Sequence, residues 1–419
     1  MAKKEPKEIY DVIVIGGGAS GMMAAGATAE NGKKVLLLEK NTELGKKLKI
    51  TGGGRCNITN ATYDTKKMLS QYGKAEQFLY SSFSQFGVQD TFDFFESRKL
   101  PLVVEARDRA FPKTQKAMDV FRVMNRYVSN KNVTVQLDNS VSKVTKNEEG
   151  DRIVSVKTKT GTCYADNYII ATGGLSRPET GSTGDGFKWL KKIGHTVNRS
   201  TPTIVPLRVA DSWVKNISGR TLSFMKITFF VNGKKSFVKK GKILFTHFGV
   251  SGPLILNSAH KVADLLHEGL VTAEIDCYPE TDHGALEKNI LKIFDAHKNK
   301  AFKNIVDEIA PHGLGQAILE LAVVADEKQK VHSISKEERK KIVQLLKAMP
   351  MTIEGLMGMD RAVVSDGGVP LTEVDMKTMK SKVVDNLYLT GDILHINRPS
   401  GGYSLQLCWT TGFVAGQLK

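Results

Sequence analysis

Residues 10–39 constrain the fold most strongly, because they have the pattern of a strand, a glycine-rich turn, a helix and a second strand. Residues 10–15 form an apolar, β-branched run with almost no polar interruption, as expected of a strand buried on both faces of a sheet. The next six residues match the motif GxGxxG. A helix is predicted from about residue 20 to residue 31, and residues 35–38 are predicted to form the second buried strand.

Each part of this segment has a separate physical role. Gly16 permits the tight turn, Gly18 lets the backbone approach a pyrophosphate, and Gly21 lets the helix pack close to the strand. The helix N-terminus offers free N–H groups and a partial positive charge to phosphates. Glu39, at the end of the second strand, can accept hydrogen bonds from both ribose hydroxyls and repels a 2′-phosphate. We therefore predict that the nucleotide is FAD or NAD rather than NADP.

Composition is typical of a soluble globular protein with two or three domains, since 41% of the 419 residues are hydrophobic and 25% are charged. Residues 10–29 carry a single charge, but their five glycines favour a strand–turn–helix over a membrane span. The four cysteines show no CxxC spacing and no HExxH motif is present, so we predict a cytoplasmic protein with no metal site.

A second glycine-rich segment indicates which of the two nucleotides, FAD or NAD, is bound. Residues 51–57 contain three successive glycines followed by Arg55, Cys56 and Asn57, and we expect a loop that closes over a ligand lying across the strand ends. The segment TGGGRCNITN resembles a signature of the BaiN/YhiN-type family of bacterial FAD-dependent oxidoreductases, which includes an enone reductase of bile-acid metabolism and aminoacetone oxidases. The resemblance implies that this loop wraps around FAD, with Arg55, Cys56 and Asn57 near the cofactor.

Later motifs resemble other parts of two-dinucleotide-fold flavoproteins. Strands predicted at residues 133–136, 141–146, 153–158 and 168–172 resemble a β-meander in which Val141 contacts adenine through its backbone. Ala171-Thr172-Gly173-Gly174 resembles the ATGG motif of these proteins. Residues 181–186 are similar to a phosphate loop, and a flexible connection is the alternative interpretation.

The C-terminus completes the resemblance. A strand predicted at residues 386–390 precedes Asp392, which the resemblance places at the ribityl chain. Gly401-Gly402-Tyr403 opens a helix that runs to about residue 417 and is implied to face the flavin N1–C2=O edge, where it would stabilise the negative charge of reduced flavin. The residues predicted to bind non-covalent FAD are Gly16, Gly18, Ala19, Ser20, Gly21, Glu39, Lys40, Lys46, Gly53, Gly54, Arg55, Cys56, Asn57, Val141, Ala171, Thr172, Gly173, Asp392, Gly401, Gly402 and Tyr403.

The predicted fold class is α/β, a Rossmann-type FAD-binding domain with inserted β-rich and helical domains. The FAD-binding domain is assigned to residues 1–200 and 361–419. Residues 201–275 alternate in strand fashion, with Asn232-Gly233 as a hairpin turn, and a β-rich substrate-side domain is assigned to residues 201–281 and 350–360. Residues 282–349 have helical periodicity, with Ser335 and Glu338 as a capping box, and form the small helical domain.

Three positions depart from the family pattern. Arg177 stands where tyrosine is usual, Ser404 replaces an asparagine after Gly-Gly-Tyr, and residues 395–400 differ from the usual acid- and glycine-containing loop. All three can approach the flavin or the substrate, so the substrate of a relative cannot be transferred to this chain.

Catalytic candidates are His395, Tyr403 and Arg177. His395 could exchange protons near pH 7, although a solvated loop histidine is the alternative. Tyr403 could donate to a carbonyl or pack on the flavin. Arg177, or Arg398, could clamp a carboxylate, with a surface arginine as the alternative. His247 lies in a segment resembling the substrate-side FTHxGxSGP motif of the family.

We predict an FAD-dependent oxidoreductase that transfers hydride between flavin and a small organic substrate. Only one dinucleotide motif is found, so either NAD(P)H docks transiently over the flavin, or the substrate itself reduces the flavin and oxygen reoxidises it. The family resemblance favours the first, in which NAD(P)H reduces a conjugated ketone. The alternative is oxidation of an amine or amino acid with release of peroxide. Oligomeric state is not predicted.

An RNA-associated flavoprotein is a further alternative, because the net charge is +16. Aromatic residues are sparse among the lysines of one predicted hairpin, and the excess lysine is spread along the chain, which favours a solvated basic surface over a nucleic-acid site. The hairpin lysines are Lys234, Lys235, Lys239, Lys240 and Lys242.

Overall fold

The structure is a computed structural model that describes residues 9–321 and 328–418. Two compact units share the chain: unit 1 comprises residues 1–202 and 363–419, and unit 2 comprises residues 203–362. Unit 1 is therefore built from both ends of the chain, as expected for a domain with an insertion. The division of the inserted residues into a β-rich and a helical domain stays a prediction.

The described residues contain eighteen strands. They are β1 (Ile9–Ile15), β2 (Val35–Leu38), β3 (Thr59–Asn60), β4 (Leu102–Glu105), β5 (Arg109–Pro112), β6 (Val133–Gln136), β7 (Val141–Lys146), β8 (Ile153–Thr158), β9 (Thr162–Ile170), β10 (Asn198–Thr203), β11 (Leu207–Val209), β12 (Thr221–Val231), β13 (Lys234–Thr246), β14 (Gly249–Ser251), β15 (Val271–Asp276), β16 (Met349–Leu356), β17 (Val364–Gly368) and β18 (Leu387–Leu389).

Fifteen α-helices connect or cover these strands in the same part of the chain. They are α1 (Ala19–Glu30), α2 (Lys46–Ile50), α3 (Thr65–Leu69), α4 (Glu76–Gln85), α5 (Val88–Ser97), α6 (Ala117–Val128), α7 (Asp185–Lys192), α8 (Ser212–Asn216), α9 (Pro253–Leu256), α10 (Ala259–Glu268), α11 (His283–Ala296), α12 (Val306–Ile309), α13 (Gly315–Glu320), α14 (Lys336–Lys347) and α15 (Tyr403–Gly416).

The main sheet of unit 1 is parallel at its centre. Its strand order is β6-β2-β1-β9-β8-β7, and β18 also pairs with β9. Strands β6, β2, β1, β9 and β18 run parallel, whereas β8 and β7 form an antiparallel extension. All four residues of β2 and five of the seven residues of β1 are buried, as predicted for strands covered on both faces. The predicted Rossmann-type fold class is confirmed.

The β-meander is smaller than predicted. The prediction that residues 133–136 belong to it is wrong, because β6 pairs in parallel with β2, Val133 lying opposite Val35. The strand predicted at residues 168–172 is the end of the longer β9. This strand begins in the meander, where Cys163 pairs with Val156, and ends between β1 and β18. One strand thus carries the chain from the meander into the parallel sheet.

Helices α1 and α15 of unit 1 approach each other closely at two glycines. A Cβ atom added to Gly412 would lie 2.5 Å from the carbonyl oxygen of Ser20, and one added to Gly416 would lie 2.7 Å from that of Ala24. The Thr28 hydroxyl donates to the Gly416 carbonyl at 3.1 Å. Since α1 starts at the glycine turn, this contact fixes the helix that follows the turn.

Unit 2 contains a closed six-stranded barrel in the order β11-β14-β13-β12-β15-β16. The predicted hairpin turn is confirmed: Asn232 and Gly233 join β12 to β13 and both have positive φ, 49° and 75°. Helices α8–α10 interrupt the stretch that was expected to be β-rich throughout. One hydrophobic core includes barrel residues such as Phe229 and helix residues such as Ile290.

The predicted capping box is confirmed at the start of α14. The Ser335 hydroxyl accepts from the Glu338 backbone N–H at 3.1 Å, and the Glu338 carboxylate accepts from the Ser335 N–H at 2.8 Å. In the described ranges, no helix has both the length and the apolar character that crossing a bilayer requires. The apolar segment at residues 10–29 consists of β1, the glycine turn and most of α1.

We expect Gly412→Ala to destabilise unit 1 by roughly 1–3 kcal/mol, because the added methyl group forces α15 away from α1. Gly284→Ala is the matched control, since that glycine is exposed in the first turn of α11 and alanine favours the helix. Thermal unfolding followed by circular dichroism measures both. Equal midpoints for Gly412→Ala and the unsubstituted protein would contradict the close packing.

Candidate functional site

The candidate site is a pocket in unit 1 at the carboxyl ends of the parallel strands. Its wall includes the ends of β1 and β2, the turn that starts α1, helix α2 and the segment after β9. The pocket holds about 1210 Å³ of space free of protein atoms, part of it open to solvent. The predicted cofactor residues that line it are Gly16, Gly18, Ala19, Ser20, Glu39, Lys40, Lys46, Val141, Ala171, Thr172, Gly173 and Asp392.

The glycine turn brings bare backbone to the pocket wall. Gly16 has φ +108°, and a Cβ atom there would lie 2.6 Å from the carbonyl oxygen of Ala171. A Cβ atom on Gly21 would overlap the carbonyl oxygen of Gly16, so the helix can approach the strand only with glycine at this position. Gly18 is the N-cap of α1, provides no side-chain cap, and has open space where a Cβ atom would stand. The helix N-terminus is therefore accessible to an anionic group.

Glu39 is held in one orientation at the end of β2, and its side chain lines the pocket while only 7% of the residue is exposed. Its Oε2 accepts from the Gly17 N–H at 2.8 Å. Its Oε1 accepts from the backbone N–H and the side-chain amide of Asn41, both at 2.8 Å. A carboxylate offers about four acceptor positions, so Glu39 can still accept from a hydroxyl in the pocket.

Lys40 and the loop at residues 181–186 meet at the same pocket. The Lys40 ammonium donates to Thr183 at 2.5 Å and to Asp185 at 2.8 Å. Burial acts to raise the pKa of Asp185, but the hydrogen bonds from Lys40 and Thr183 dominate and lower it to about 2. Gly181, which begins this loop, also lines the wall. The ammonium of Lys40 is thus engaged by protein groups, and the loop is part of the pocket.

Another part of the wall is formed by Lys47, Asp392, Ser404 and Cys408. The Lys47 ammonium donates to the carbonyl and hydroxyl of Ser176 at 2.8 and 3.2 Å. Burial lowers the pKa of Lys47 and raises the pKa of the Cys408 thiol to about 12. Lys46 was predicted and also lines the pocket, whereas Lys47 was not predicted. The sequence has the two lysines side by side, and only the helical phase of α2 shows which of them is buried.

The glycine-arginine loop does not line this pocket. Arg55 lies against the Phe111 ring, forms an ion pair with Glu105 and donates from Nε to Gln115 at 2.8 Å. Cys56 is fully buried, which raises the pKa of its thiol to about 12, in agreement with a close-packed residue rather than a reactive thiol. The predicted cofactor residues outside the pocket wall are Gly21, Gly53, Gly54, Arg55, Cys56, Asn57, Gly401, Gly402 and Tyr403.

The three catalytic candidates also lie outside the pocket wall. His395 lies 2.7 Å from the Asn198 amide through Nδ1 and 3.1 Å from the Asp366 carboxylate through Nε2. Arg177 has a left-handed backbone and lies 3.6 Å from Glu179. Tyr403 packs edge-on against Tyr72 and accepts a hydrogen bond from it through its backbone carbonyl. Their catalytic roles stay predictions.

His247 and Arg398 lie in different surroundings. His247 is exposed in unit 2, where its ring contacts Phe248 edge-on. Arg398 is buried in unit 1, and its guanidinium donates to Ser404 at 3.0 Å, to the Ile396 carbonyl at 2.7 Å and to Asp392. A guanidinium that is buried outside the pocket wall and held by three acceptors is not placed to clamp a substrate carboxylate.

Two polar atoms fit the expectation that this region holds a ligand. The Thr172 hydroxyl and the Asn57 side-chain oxygen are buried, and no described residue hydrogen bonds to either. Buried polar atoms nearly always have partners, and Thr172 belongs to the pocket wall. The unpartnered Thr172 hydroxyl, the open space at Gly18 and the free acceptor position of Glu39 together fit a nucleotide cofactor.

The sequence also missed several residues of the pocket wall. Asn139 and Trp189 belong to no motif, because each reaches the pocket through long-range packing of β6, β7 and α7. Leu405 and Cys408 follow from the phase of α15 once its start at Tyr403 is known. Ser182 and Asp185 had a signal in the glycine-rich loop, which the sequence left open between a phosphate loop and a connection.

Curated relatives match almost the whole chain. A 3-dehydro-bile acid delta(4,6)-reductase from Clostridium scindens is 28% identical over 96% of this chain and 97% of its own length. Ribosomal RNA dihydrouridine synthases from Escherichia coli and Haemophilus influenzae are 26% and 27% identical over 98% and 96% of this chain, and over the same shares of their own lengths.

Solved structures show the same fold at lower identity. A 3-ketosteroid-delta4-(5alpha)-dehydrogenase from Rhodococcus jostii superposes with a TM-score of 0.54 and 13% identity, covering 99% of this chain and 97% of that one. A 3-ketosteroid delta1-dehydrogenase from Sterolibacterium denitrificans gives 0.53 and 12%, covering 98% and 99%. The HI0933-like protein Rossmann domain matches residues 10–418. The predicted family resemblance is confirmed, and the chain belongs to the HI0933-like Rossmann family.

Proposed function

We propose that the protein is an FAD-dependent oxidoreductase whose FAD is bound non-covalently in the pocket of unit 1. The observation that carries the proposal is the meeting of the glycine turn, the uncapped start of α1 and the Glu39 carboxylate in one pocket. These groups are complementary to a dinucleotide, because backbone N–H groups donate hydrogen bonds to a pyrophosphate and a carboxylate accepts hydrogen bonds from ribose hydroxyls.

The protein groups in this proposal bind and orient, and the flavin supplies hydride transfer when bound. Glu39 accepts from the ribose, the N–H groups after Gly18 hold the pyrophosphate, and Asp392 contacts the ribityl chain. Thr172 gains a partner for its buried hydroxyl. His395, Tyr403 and Arg177 are the proposed residues on the substrate side, with His395 exchanging a proton beside Asp366.

The proposed reaction is NAD(P)H-dependent reduction of a carbon–carbon double bond conjugated with a carbonyl group in a small substrate. Support comes from the relative named as a bile-acid reductase, which this chain matches from end to end. Because the sequence has one dinucleotide motif, the NAD(P)H donor would dock transiently rather than occupy a second nucleotide site of this kind. The alternative is a flavin oxidase that acts on amines and releases peroxide. Bound flavin that NAD(P)H does not reduce would favour this alternative.

We expect Glu39→Ala to weaken FAD binding roughly 10- to 150-fold, because a hydrogen bond to a charged group contributes about 1.5–3 kcal/mol. Isothermal titration of the flavin-free protein with FAD measures the change. Glu43→Ala is the matched control, since that carboxylate is outside the pocket wall and pairs with Lys49 at 2.5 Å. Unchanged FAD affinity in Glu39→Ala would contradict the assignment of the pocket.

A second candidate reaction is reduction of a pyrimidine base in RNA. The ring double bond of such a base is also conjugated with a carbonyl group. Two relatives are named ribosomal RNA dihydrouridine synthases. The specific observation in this chain is Phe224, which is 82% exposed with φ 61° at an irregularity in the pairing of β12 with β13. Exposed aromatic rings among lysines stack on bases, and Lys240 and Lys242 are exposed near this point of β13.

The RNA candidate predicts a salt-dependent affinity that resides in the hairpin of unit 2. Filter binding of a single-stranded RNA of mixed sequence should weaken when the five hairpin lysines are changed to glutamine, and its dependence on salt should flatten. Phe224→Ala should weaken binding without changing the salt dependence. The matched control changes five other exposed lysines of unit 2 to glutamine, namely Lys288, Lys292, Lys336, Lys340 and Lys341. Equal losses in the two lysine variants would exclude the hairpin as an RNA site.

A further inference from the structure

The guanidinium of Arg398 is buried beside the pocket, and each of its three nitrogens donates a hydrogen bond. Only 1% of its side chain is exposed. Its Nε donates to the Ser404 hydroxyl at 3.0 Å, one terminal nitrogen donates to the Ile396 carbonyl at 2.7 Å, and the other donates to the Asp392 carboxylate. Three different acceptors therefore fix the position of this charge.

Two of these three acceptors belong to the pocket wall, whereas Arg398 does not. Asp392 and Ser404 both line the pocket. Arg398 therefore acts on the contents of the pocket through its partners and through its electric field. Because the group is excluded from water, its field is screened much less than that of a surface charge.

Arg398 and Asp392 carry opposite charges beside this part of the wall, so the guanidinium balances the one carboxylate that lines the pocket here. Burial lowers the pKa of Lys47, which opposes a full positive charge on its ammonium. The neighbouring Tyr72 and Cys408 are neutral near pH 7, because burial raises the pKa of both well above their ordinary values. Glu179 also faces Lys47, but about half of its side chain is exposed, so water screens its charge.

The hydrogen bond between Arg398 and Ser404, at 3.0 Å, joins the loop at residues 395–400 to the first turn of α15. A buried ion pair is weak evidence for stability, since an apolar replacement is often as stable, so its role is sought in the field that it creates.

We propose that Arg398 is a positioning residue that raises the reduction potential of the bound flavin by compensating the Asp392 carboxylate in the pocket wall. This inference rests on the proposed function, because it requires FAD in the pocket. Reduction adds negative charge to flavin, so a wall whose carboxylate is compensated binds the reduced form more tightly than a wall with an uncompensated carboxylate. Tighter binding of the reduced form is equivalent to a higher potential.

The test is the midpoint potential of the flavin-loaded protein, measured by anaerobic spectroscopic titration at pH 8. Arg398→Met should lower the ratio of the affinity for reduced flavin to the affinity for oxidised flavin at least tenfold. For a two-electron couple this change equals a drop of about 30 mV in the midpoint potential. Arg398→Lys keeps the charge and should restore most of the potential. Arg122→Met is the control, because that guanidinium is 65% exposed and pairs with Asp119 on α6.

Two further variants keep the test decisive if Arg398→Met does not fold. Asp392→Asn removes the negative charge and should raise the potential. The double variant Arg398→Met/Asp392→Asn removes equal and opposite charges and should return close to the potential of the unsubstituted protein. A purely structural role for Arg398 predicts no such opposition of sign.

Potentials that do not follow charge overturn the inference. The inference is wrong if the midpoint potential of Arg398→Met equals that of the unsubstituted protein. It is also wrong if the potentials of Asp392→Asn and of the double variant both fall below that of the unsubstituted protein. An unsubstituted protein that binds no FAD would overturn the proposed function itself, and this outcome is visible before any variant is made. Thermal unfolding of each variant separates loss of potential from loss of structure.

Discussion

The close approach of backbone segments at the glycine turn is the constraint on which unit 1 depends. Gly16 turns the chain with a positive φ, Gly21 brings α1 against that turn, and Gly412 allows α15 to pack against the start of α1. Any side chain at these positions meets a carbonyl oxygen. The first turn of α1, which has no side-chain cap at Gly18, lies in this pocket wall, and anionic phosphates are the ligands that the N–H groups of a helix N-terminus bind best.

Charge is arranged separately in the pocket and on unit 2. Glu39 gives one part of the pocket wall a fixed acceptor, whereas Asp392 in another part is paired with the buried Arg398 behind it. The net charge of +16 is not concentrated there, since the lysines of β13 are exposed on the barrel of unit 2. The proposed cofactor binding and the candidate RNA binding thus depend on different residues and can be tested independently.

Local patterns were predictable from the sequence, and long-range contacts were not. The turn before α1, the position of Glu39, the Asn232-Gly233 hairpin and the capping box of α14 depend on residues close in sequence, so periodicity and turn chemistry were enough. Strand β6 was misplaced because its partner β2 lies about a hundred residues earlier. The engagement of Arg398 by Asp392 was also missed, since no spacing rule shows which way a loop side chain turns. Substrate-side residues depend on such contacts most, and for that reason their roles stay proposals.

The most direct test of the central claim is the anaerobic visible spectrum of the purified protein before and after addition of NADH or NADPH. We expect flavin absorption bands, either in the protein as purified or after FAD is supplied, and rapid bleaching of those bands by a nicotinamide donor. Bands that stay oxidised would contradict the reductase and direct the search to amine substrates. Absence of flavin binding even with added FAD would contradict the account as a whole.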